Sequence, residues 1–256
     1  MMIGTEKYAY SSKLRNTDPI TKILITVGIM FLCIILNNIY VSLVTLVSMS
    51  VINIKMGGHD VKDLWKMFRI PMGFIFLGVV TIIVGKYAPD TELIAGVSIG
   101  GSLYGISSAG LIQALNIFTK AMGVIGSVYF LVMNTPMTDI NLALGRMHVP
   151  TLFVELMELV YRFIFILTET AENIKVAQNS RLGYIDIRTS YKSTGDLVSR
   201  LFISSYKKAD HIYNALESRG YDGEIKTLGS EYEIDTNIAT VAIVIAMMQV
   251  ATYMFM

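Results

Sequence analysis

Residues 155–183 read ELMELVYRFIFILTETAENIKVAQNSRLG, and residues 196–220 read DLVSRLFISSYKKADHIYNALESRG. Each stretch has helical periodicity and runs into an arginine with a glycine just behind it. In the first, Leu156, Val160, Phe163, Leu167, Thr170, Ile174, Ala177 and Arg181 follow one another in steps of four and three. In the second, Val198, Phe202, Ser205, Ala209, Ile212, Leu216 and Arg219 do the same. That alternation is the seam of one helix packing on another. Two long amphipathic helices are therefore expected, packed through Phe163, Leu167, Ile174 and Ala177 on one side and Phe202, Ala209, Ile212 and Leu216 on the other. Small seam residues would let the helices cross closely. Gly183 and Gly220 are natural terminators, because glycine accepts the left-handed conformation after a last turn. A cation in the last turn suits the helix dipole, so either arginine alone would pass for an end charge. The repetition of seam, arginine and glycine within one chain points further, to a pair of exposed tips with a shared role.

Outward from this pair the chain is apolar. Hydrophobic residues make up 53% of its 256 residues and charged ones 16%, against about a quarter in an ordinary soluble domain. Mean hydropathy is +0.55. The expected fold class is an all-α polytopic membrane protein, with about five transmembrane helices and a domain of two long crossed amphipathic helices and a short one. Net charge is +1, which gives no case for binding nucleic acid. The single cysteine, Cys33, lies in an apolar run, and no Cys/His set has zinc spacing. The opening residues are polar, so no cleavable signal peptide is expected.

Two uncharged runs, 23–36 and 39–54, flank Asn37-Asn38 and read as two spans joined by a tight turn. A basic amphipathic loop is expected over 55–69, with Trp65 as an interfacial anchor. A third span follows over 71–85. Residues 93–133 hold Gly96, Gly100, Gly101, Gly105 and Gly110 and then a lone Lys120. Spacings 96/100 and 101/105 fit small-xxx-small helix packing. The reading is an interfacial or irregular piece and one long fourth span over 104–133; two spans broken near Lys120 is the alternative. Residues 139–149 suggest a short amphipathic helix, 221–235 are polar and acidic, and 236–256 form a last apolar span. The expected domains are 1–134, a membrane domain of four spans; 135–235, the helical pair; and 236–256, the final transmembrane helix.

Of the 21 Lys and Arg residues, eleven fall between Arg146 and Lys226, four precede the first span and four lie in the 55–69 loop. The positive-inside rule then places the N-terminus and 135–235 in the cytoplasm and the C-terminus outside. Residues 151–167 are apolar enough to suggest a crossing. Glu155, Glu158 and Arg162 share a helix face there, however, and three ionisable groups in mid-bilayer would be costly.

No GxxxxGK[ST], HExxH or GxSxG motif is present. The histidines, His59, His148 and His211, are scattered and read as structural or solvated. The sixteen methionines fill apolar helices and line no repeated cluster. No catalytic or metal-ligating residue is therefore expected. A membrane body without a visible substrate site, beside two arginine-tipped helices, suggests a subunit that receives force from a soluble partner. Guanidinium forks suit bidentate contact with carboxylates in a partner groove.

The chain resembles the transmembrane T component of energy-coupling factor (ECF) transporters, of the CbiQ type of cobalt importers. The stretches carrying the resemblance are KYAYSSKLRNTDPITK (7–22), NTPMTDINLALGRMHVP (134–150), ELVYRFIFILTE (158–169), AQNSRLG (177–183) and ALESRGYDG (215–223). It implies that Arg181 and Arg219, with Ser180, Leu182, Ser218 and Gly220, each dock on one of two cytoplasmic ATP-binding subunits. It also implies a separate membrane-embedded substrate-binding S component. ATP and the cobalt or nickel ion would be held by those partners, this chain binding no cofactor and catalysing no reaction in the cell membrane. The first motif departs from the family pattern in having Leu182 where glycine is usual, with Gly183 one place late. The rival reading is a substrate-translocating permease of another ABC importer, or a stand-alone carrier. An ordinary permease would bring one coupling loop per subunit, and a carrier should show midplane polar groups or an inverted repeat.

Overall fold

A computed structural model describes residues 6–87, 95–99, 102–221, 232 and 236–255. Most of the acidic stretch 221–235, together with Gly100 and Gly101, lies outside the described residues. The helices are α1 (Glu6–Ser11), α2 (Pro19–Leu36), α3 (Ile39–Lys55), α4 (Val61–Ile83), α5 (Ser108–Asn134), α6 (Met137–Arg146), α7 (Thr151–Asn179), α8 (Ile187–Glu217) and α9 (Thr236–Met254). Strands β1 (Val84–Tyr87), β2 (Ala95–Ile99) and β3 (Ser102–Ile106) stand between α4 and α5. That small sheet excepted, the described chain is helical, an all-α polytopic membrane protein. Contacts divide it into two units, residues 6–136 with 232–255 and residues 137–221.

In the first unit local chemistry sets the helix ends. Asp18 caps α2, its carboxylate accepting the Thr21 N–H at 3.0 Å, with Pro19 in the first turn. Asn37 ends α2 in the left-handed conformation, and Asn38 caps α3 by accepting from the Tyr40 N–H. The expected tight turn is thus two asparagines, one for each helix end. Four helices are long and apolar enough to cross a membrane: Pro19–Leu36, Val61–Ile83, Ser108–Asn134 and Asn237–Met254. The shorter apolar α3, with 17 residues, packs against α2, α5 and α9 and makes the fifth member of the group. α7 is not among the long apolar helices.

The centre of this unit is α5, which touches α1, α2, α3 and α4. One core gathers Leu14, Ile29, Met49, Ile52, Phe130 and Ile245; a second gathers Leu64, Phe68, Met122 and Met133. A close helix approach is at Gly123, where an added Cβ would lie 2.9 Å from the Ser42 carbonyl oxygen. Glycines at the crossing let backbones meet, the usual way helices associate in lipid.

Two expectations are corrected here. The glycines at 96 and 105 do not line a helix. Gly105 sits in the central strand, paired with Gly85 of β1 and Gly96 of β2, in a sheet of order β1-β3-β2 with both pairings antiparallel. A four-residue glycine spacing shares one face of a strand as readily as one face of a helix, and here the ladder takes Gly96 and Gly105. The basic loop and third span are also not separate. α4 begins at Val61 and carries Pro71 in its interior. A proline there removes the donor that would meet the carbonyl four residues back, at Met67. Tyr129 of α5 supplies the replacement, its hydroxyl donating to the Met67 oxygen at 3.0 Å.

In the second unit α6 and α8 each pack on α7. Asp186 caps α8, accepting the Thr189 N–H at 2.6 Å. Those hydrogen bonds from Thr189 hold the Asp186 carboxyl below its ordinary pKa.

Candidate functional site

The candidate site is the two helix tips. Along the pair, hydrogen bonds tie α7 to α8 and its end at three levels. Gln178 Nε2 donates to the Ser193 carbonyl at 2.9 Å, Lys208 Nζ to Thr170 Oγ1 at 3.2 Å, and the Tyr221 hydroxyl to Glu155 Oε2 at 3.4 Å. Numbers rise along one helix as they fall along the other, so the pair is antiparallel. The two arginines therefore stand at opposite ends. α8 alone has 31 residues, which separates them by on the order of 45 Å.

The two ends have one backbone geometry. At the first, Gly183 N–H bonds to the Gln178 carbonyl at 2.9 Å and Leu182 N–H to Asn179 at 3.0 Å. At the second, Tyr221 N–H bonds to Leu216 at 3.1 Å and Gly220 N–H to Glu217 at 3.0 Å. Both are Schellman caps, a six-to-one bond enclosing a five-to-two bond. Arg181 and Arg219 occupy the same place in them, the last residue before the left-handed one. The preceding serines match as well: Ser180 Oγ donates to the Val176 carbonyl at 3.0 Å and Ser218 Oγ to that of Asn214 at 2.7 Å. α6 ends in the same cap with Met147 and His148 in those positions, so the cap by itself marks nothing. What singles out the long pair is the arginine.

Both arginines are exposed, and among the described residues neither guanidinium has a hydrogen-bond or ion-pair partner. Each is a free planar cation on a capped, fixed backbone. The glycine in the first tip has a different task from the one expected. The left-handed residue is Leu182, at φ 58°, not Gly183. A bulky residue there costs about 1–2 kcal/mol. Gly183 is needed for space, since a Cβ would lie 2.8 Å from the Gln178 carbonyl oxygen and 2.8 Å from Ser193 Oγ. At the second tip Gly220 itself is left-handed, at φ 77°, with nothing near its missing Cβ. Glycine one place late thus leaves the arginine in register, and leucine takes the strained position.

Of the expected packing residues, Phe163, Leu167, Ile174, Ile212 and Leu216 are half-buried. Ala177, Phe202 and Ala209 are exposed, Phe202 by 71%. In its first part the sheltered row of α8 runs one residue earlier, through Leu197, Leu201, Ser204 and Lys208. Lys208 belongs to this row: it is half-buried and its ammonium reaches Thr170 across the pair, so a residue counted as polar takes a sheltered position.

Comparison with known proteins covers most of the chain. The profile of the CbiQ family, described as cobalt transport protein, matches residues 10–228. This chain belongs to the CbiQ family. It is a transmembrane T component of the ECF transporter type. It is 29% identical over 228 residues to the cobalt transport protein CbiQ of Salmonella typhimurium, covering 87% of this chain and 99% of that one. It is 30% identical over 132 residues to the energy-coupling factor transporter transmembrane protein EcfT of Staphylococcus aureus, 47% of this chain and 49% of the other. A putative fused cobalt transport protein CbiMQ of Methanocorpusculum labreanum is 32% identical over 157 residues, 61% of this chain and 26% of the fusion.

A buried polar knot, which sequence reasoning missed, joins two of the stretches that carry the family likeness. Lys22, fully buried, donates through Nζ to the carbonyls of Leu14 at 2.8 Å and Asn134 at 2.9 Å. Asn134 donates to Asn53 Oδ1 at 2.7 Å and accepts from Ser12 Oγ at 2.6 Å. His59, 6% exposed, packs edge-on against the Tyr8 ring. The knot ties the N-terminal segment to the start of α2 and the ends of α3 and α5. Lys22 is thus a structural donor and not a solvated flanking charge. Its only signal in the sequence is that Lys22, Asn53 and Asn134 each lie at the end of an apolar run. Among the described residues no three His, Cys, Asp or Glu side chains group as a metal site.

Proposed function

We propose that this CbiQ-family chain is the energy-coupling scaffold of its importer, passing the motion of two ATP-binding subunits to a separate substrate-binding membrane subunit. The observation that carries this reading is the matched pair of tips, Arg181 and Arg219, free and identically capped at opposite ends of one helix pair. One copy of this chain can then engage both ATP-binding subunits, each arginine gripping acidic or carbonyl groups in a groove through its planar fork. Ser180, Leu182, Ser218 and Gly220 shape those tips. The helix pair is the lever: motion of one subunit at Arg181 is carried along packed helices to Arg219 and to whatever rests on them.

Cobalt, with nickel as the second candidate, is the cargo in this reading. The ion and ATP are bound by the partners. A relative named as a fused cobalt transport protein, of which this match spans 26%, supports a membrane partner working at close quarters. The N-terminus and the 135–235 region lie on the cytoplasmic face and the C-terminus outside, in the orientation that the Lys and Arg distribution favours. The chain itself is non-catalytic.

The test is a detergent pull-down of the tagged chain with the ATP-binding subunits of its own cells, comparing wild type with Arg181→Ala/Arg219→Ala. Capture by wild type alone supports docking through the tips. Equal capture by the double variant makes the arginines ordinary helix-end charges.

A further inference from the structure

The two tips share a backbone but not the means of holding it. At the second, Gly220 takes the left-handed conformation without strain and needs no support. At the first, Leu182 is left-handed and a set of side chains closes around the turn. Ser193, buried near the start of α8, donates through Oγ to the Gly183 carbonyl at 2.7 Å. Gln178 donates through Nε2 to the Ser193 carbonyl at 2.9 Å and accepts through Oε1 from the Tyr184 hydroxyl at 2.8 Å. Gln178 is also the residue whose backbone carbonyl receives the six-to-one bond of the cap. One residue thus anchors the cap by its main chain and the following helix by its side chain.

We propose that Gln178 and Ser193 are positioning residues for Arg181, fastening the Leu182 cap so that the guanidinium is held ready for its partner. This rests on the reading that Arg181 docks on an ATP-binding subunit. Neither residue need touch that subunit. Without the lock, Leu182 relaxes out of the left-handed region, the arginine is carried with it, and only a fraction of molecules presents a competent tip. Apparent affinity then falls by that fraction. The lock is the counterpart, at a leucine tip, of what glycine provides by itself at the other.

The test uses the full chain in detergent and its own ATP-binding subunits, with a variant carrying Arg219→Ala so that capture depends on the first tip. In that background Ser193→Ala and Gln178→Ala should each weaken capture by about tenfold, the size of one buried hydrogen bond. Leu182→Gly should restore most of it, because glycine holds the cap unaided. The Gly183 amide should lose hydrogen-exchange protection in Ser193→Ala and regain it with Leu182→Gly. Undiminished capture by both single variants, where Arg181→Ala abolishes it, overturns the positioning role and leaves docking intact. A loss of Gly183 amide protection in Ser193→Ala that Leu182→Gly does not repair also overturns it, since the bonds would then act on the helix pair and not on the cap. Full capture by Arg181→Ala in the Arg219→Ala background removes the docking reading and this inference together.

Discussion

The Tyr129 hydroxyl of α5 donates to the Met67 carbonyl of α4 at 3.0 Å, at the one carbonyl in that helix that Pro71 leaves without its helical donor. A proline inside a membrane helix is tolerated when a neighbour re-satisfies the freed group. Here the neighbour is a side chain on the next span, so the hydrogen bond also fixes the register of α4 on α5.

Tyr129→Phe should therefore destabilise the detergent-solubilised chain by about 1–2 kcal/mol, the cost of a partly buried acceptor left unpaired. In a Pro71→Ala background the alanine N–H meets the Met67 carbonyl, and the same Tyr129→Phe change should cost less by about 1 kcal/mol. Thermal melting of the four proteins in the cycle measures the difference. Equal costs in both backgrounds would show that the two residues act independently.

Lys22 holds two carbonyls from segments far apart in the chain, those of Leu14 and Asn134. Lys22→Met keeps the length of the side chain and removes the donor, leaving both oxygens buried. A loss of roughly 3 kcal/mol is expected, with a melting temperature lower by several degrees. Lys13→Met, at an exposed position of the same segment, should change it little. Matching melting curves for the two variants would remove Lys22 from its structural role.

Most of the apolar helices, the asparagine turn at 37–38 and the two long amphipathic helices were legible because each rests on local signals: period, cap residues and turn chemistry; that the long pair runs antiparallel shows only in the hydrogen bonds between its members. The arginine tips were legible for the same reason, as a repeat of residue order. What was not legible depends on partners distant in sequence or on atoms within one side chain. Nothing near Pro71 announces Tyr129, and nothing near Lys22 announces Asn134. Lys208 is written as a polar residue, although it is half-buried and bonded to Thr170 across the pair. Leu182 was hidden by its neighbour: a glycine beside a helix end invites the left-handed assignment, and only the crowding at its missing Cβ shows that Gly183 serves space. The strands over 84–106 were hidden by glycines that suit two kinds of packing.

The glycines offer a matched pair of opposite sign. At Gly183 a Cβ would press on the Gln178 backbone and on Ser193 Oγ, each at 2.8 Å. Gly183→Ala should loosen the turn between α7 and α8 and cost about 1–3 kcal/mol. Gly195 lies inside α8, exposed, with nothing within 4 Å of its missing Cβ. Gly195→Ala should stabilise the helix by up to about 1 kcal/mol. Hydrogen exchange across 178–200 reads both effects locally. Stabilisation by Gly183→Ala would mean that the close approach to Gln178 is not required.

Asp186 gives the same region a dependence on acid. Its carboxylate caps α8 through the Thr189 N–H, and that bond holds its pKa below the unfolded value of about 3.9. A group whose folded pKa is depressed contributes stability that is fully present above its unfolded pKa. The contribution is lost as pH falls through the folded value, because the protonated acid no longer accepts strongly. Protection of the first turn of α8 should therefore be flat from neutral pH down to about 5 and decline below about 4. Asp186→Asn keeps an acceptor for Thr189 without a titrating group, so its protection should lose that decline while remaining close to wild type at pH 7. Asp186→Ala should lose the cap at every pH. Hydrogen exchange of the Thr189 amide across pH, corrected for the intrinsic exchange rate, checks all three. An acid decline of the same size in Asp186→Asn would assign the effect to some other carboxylate.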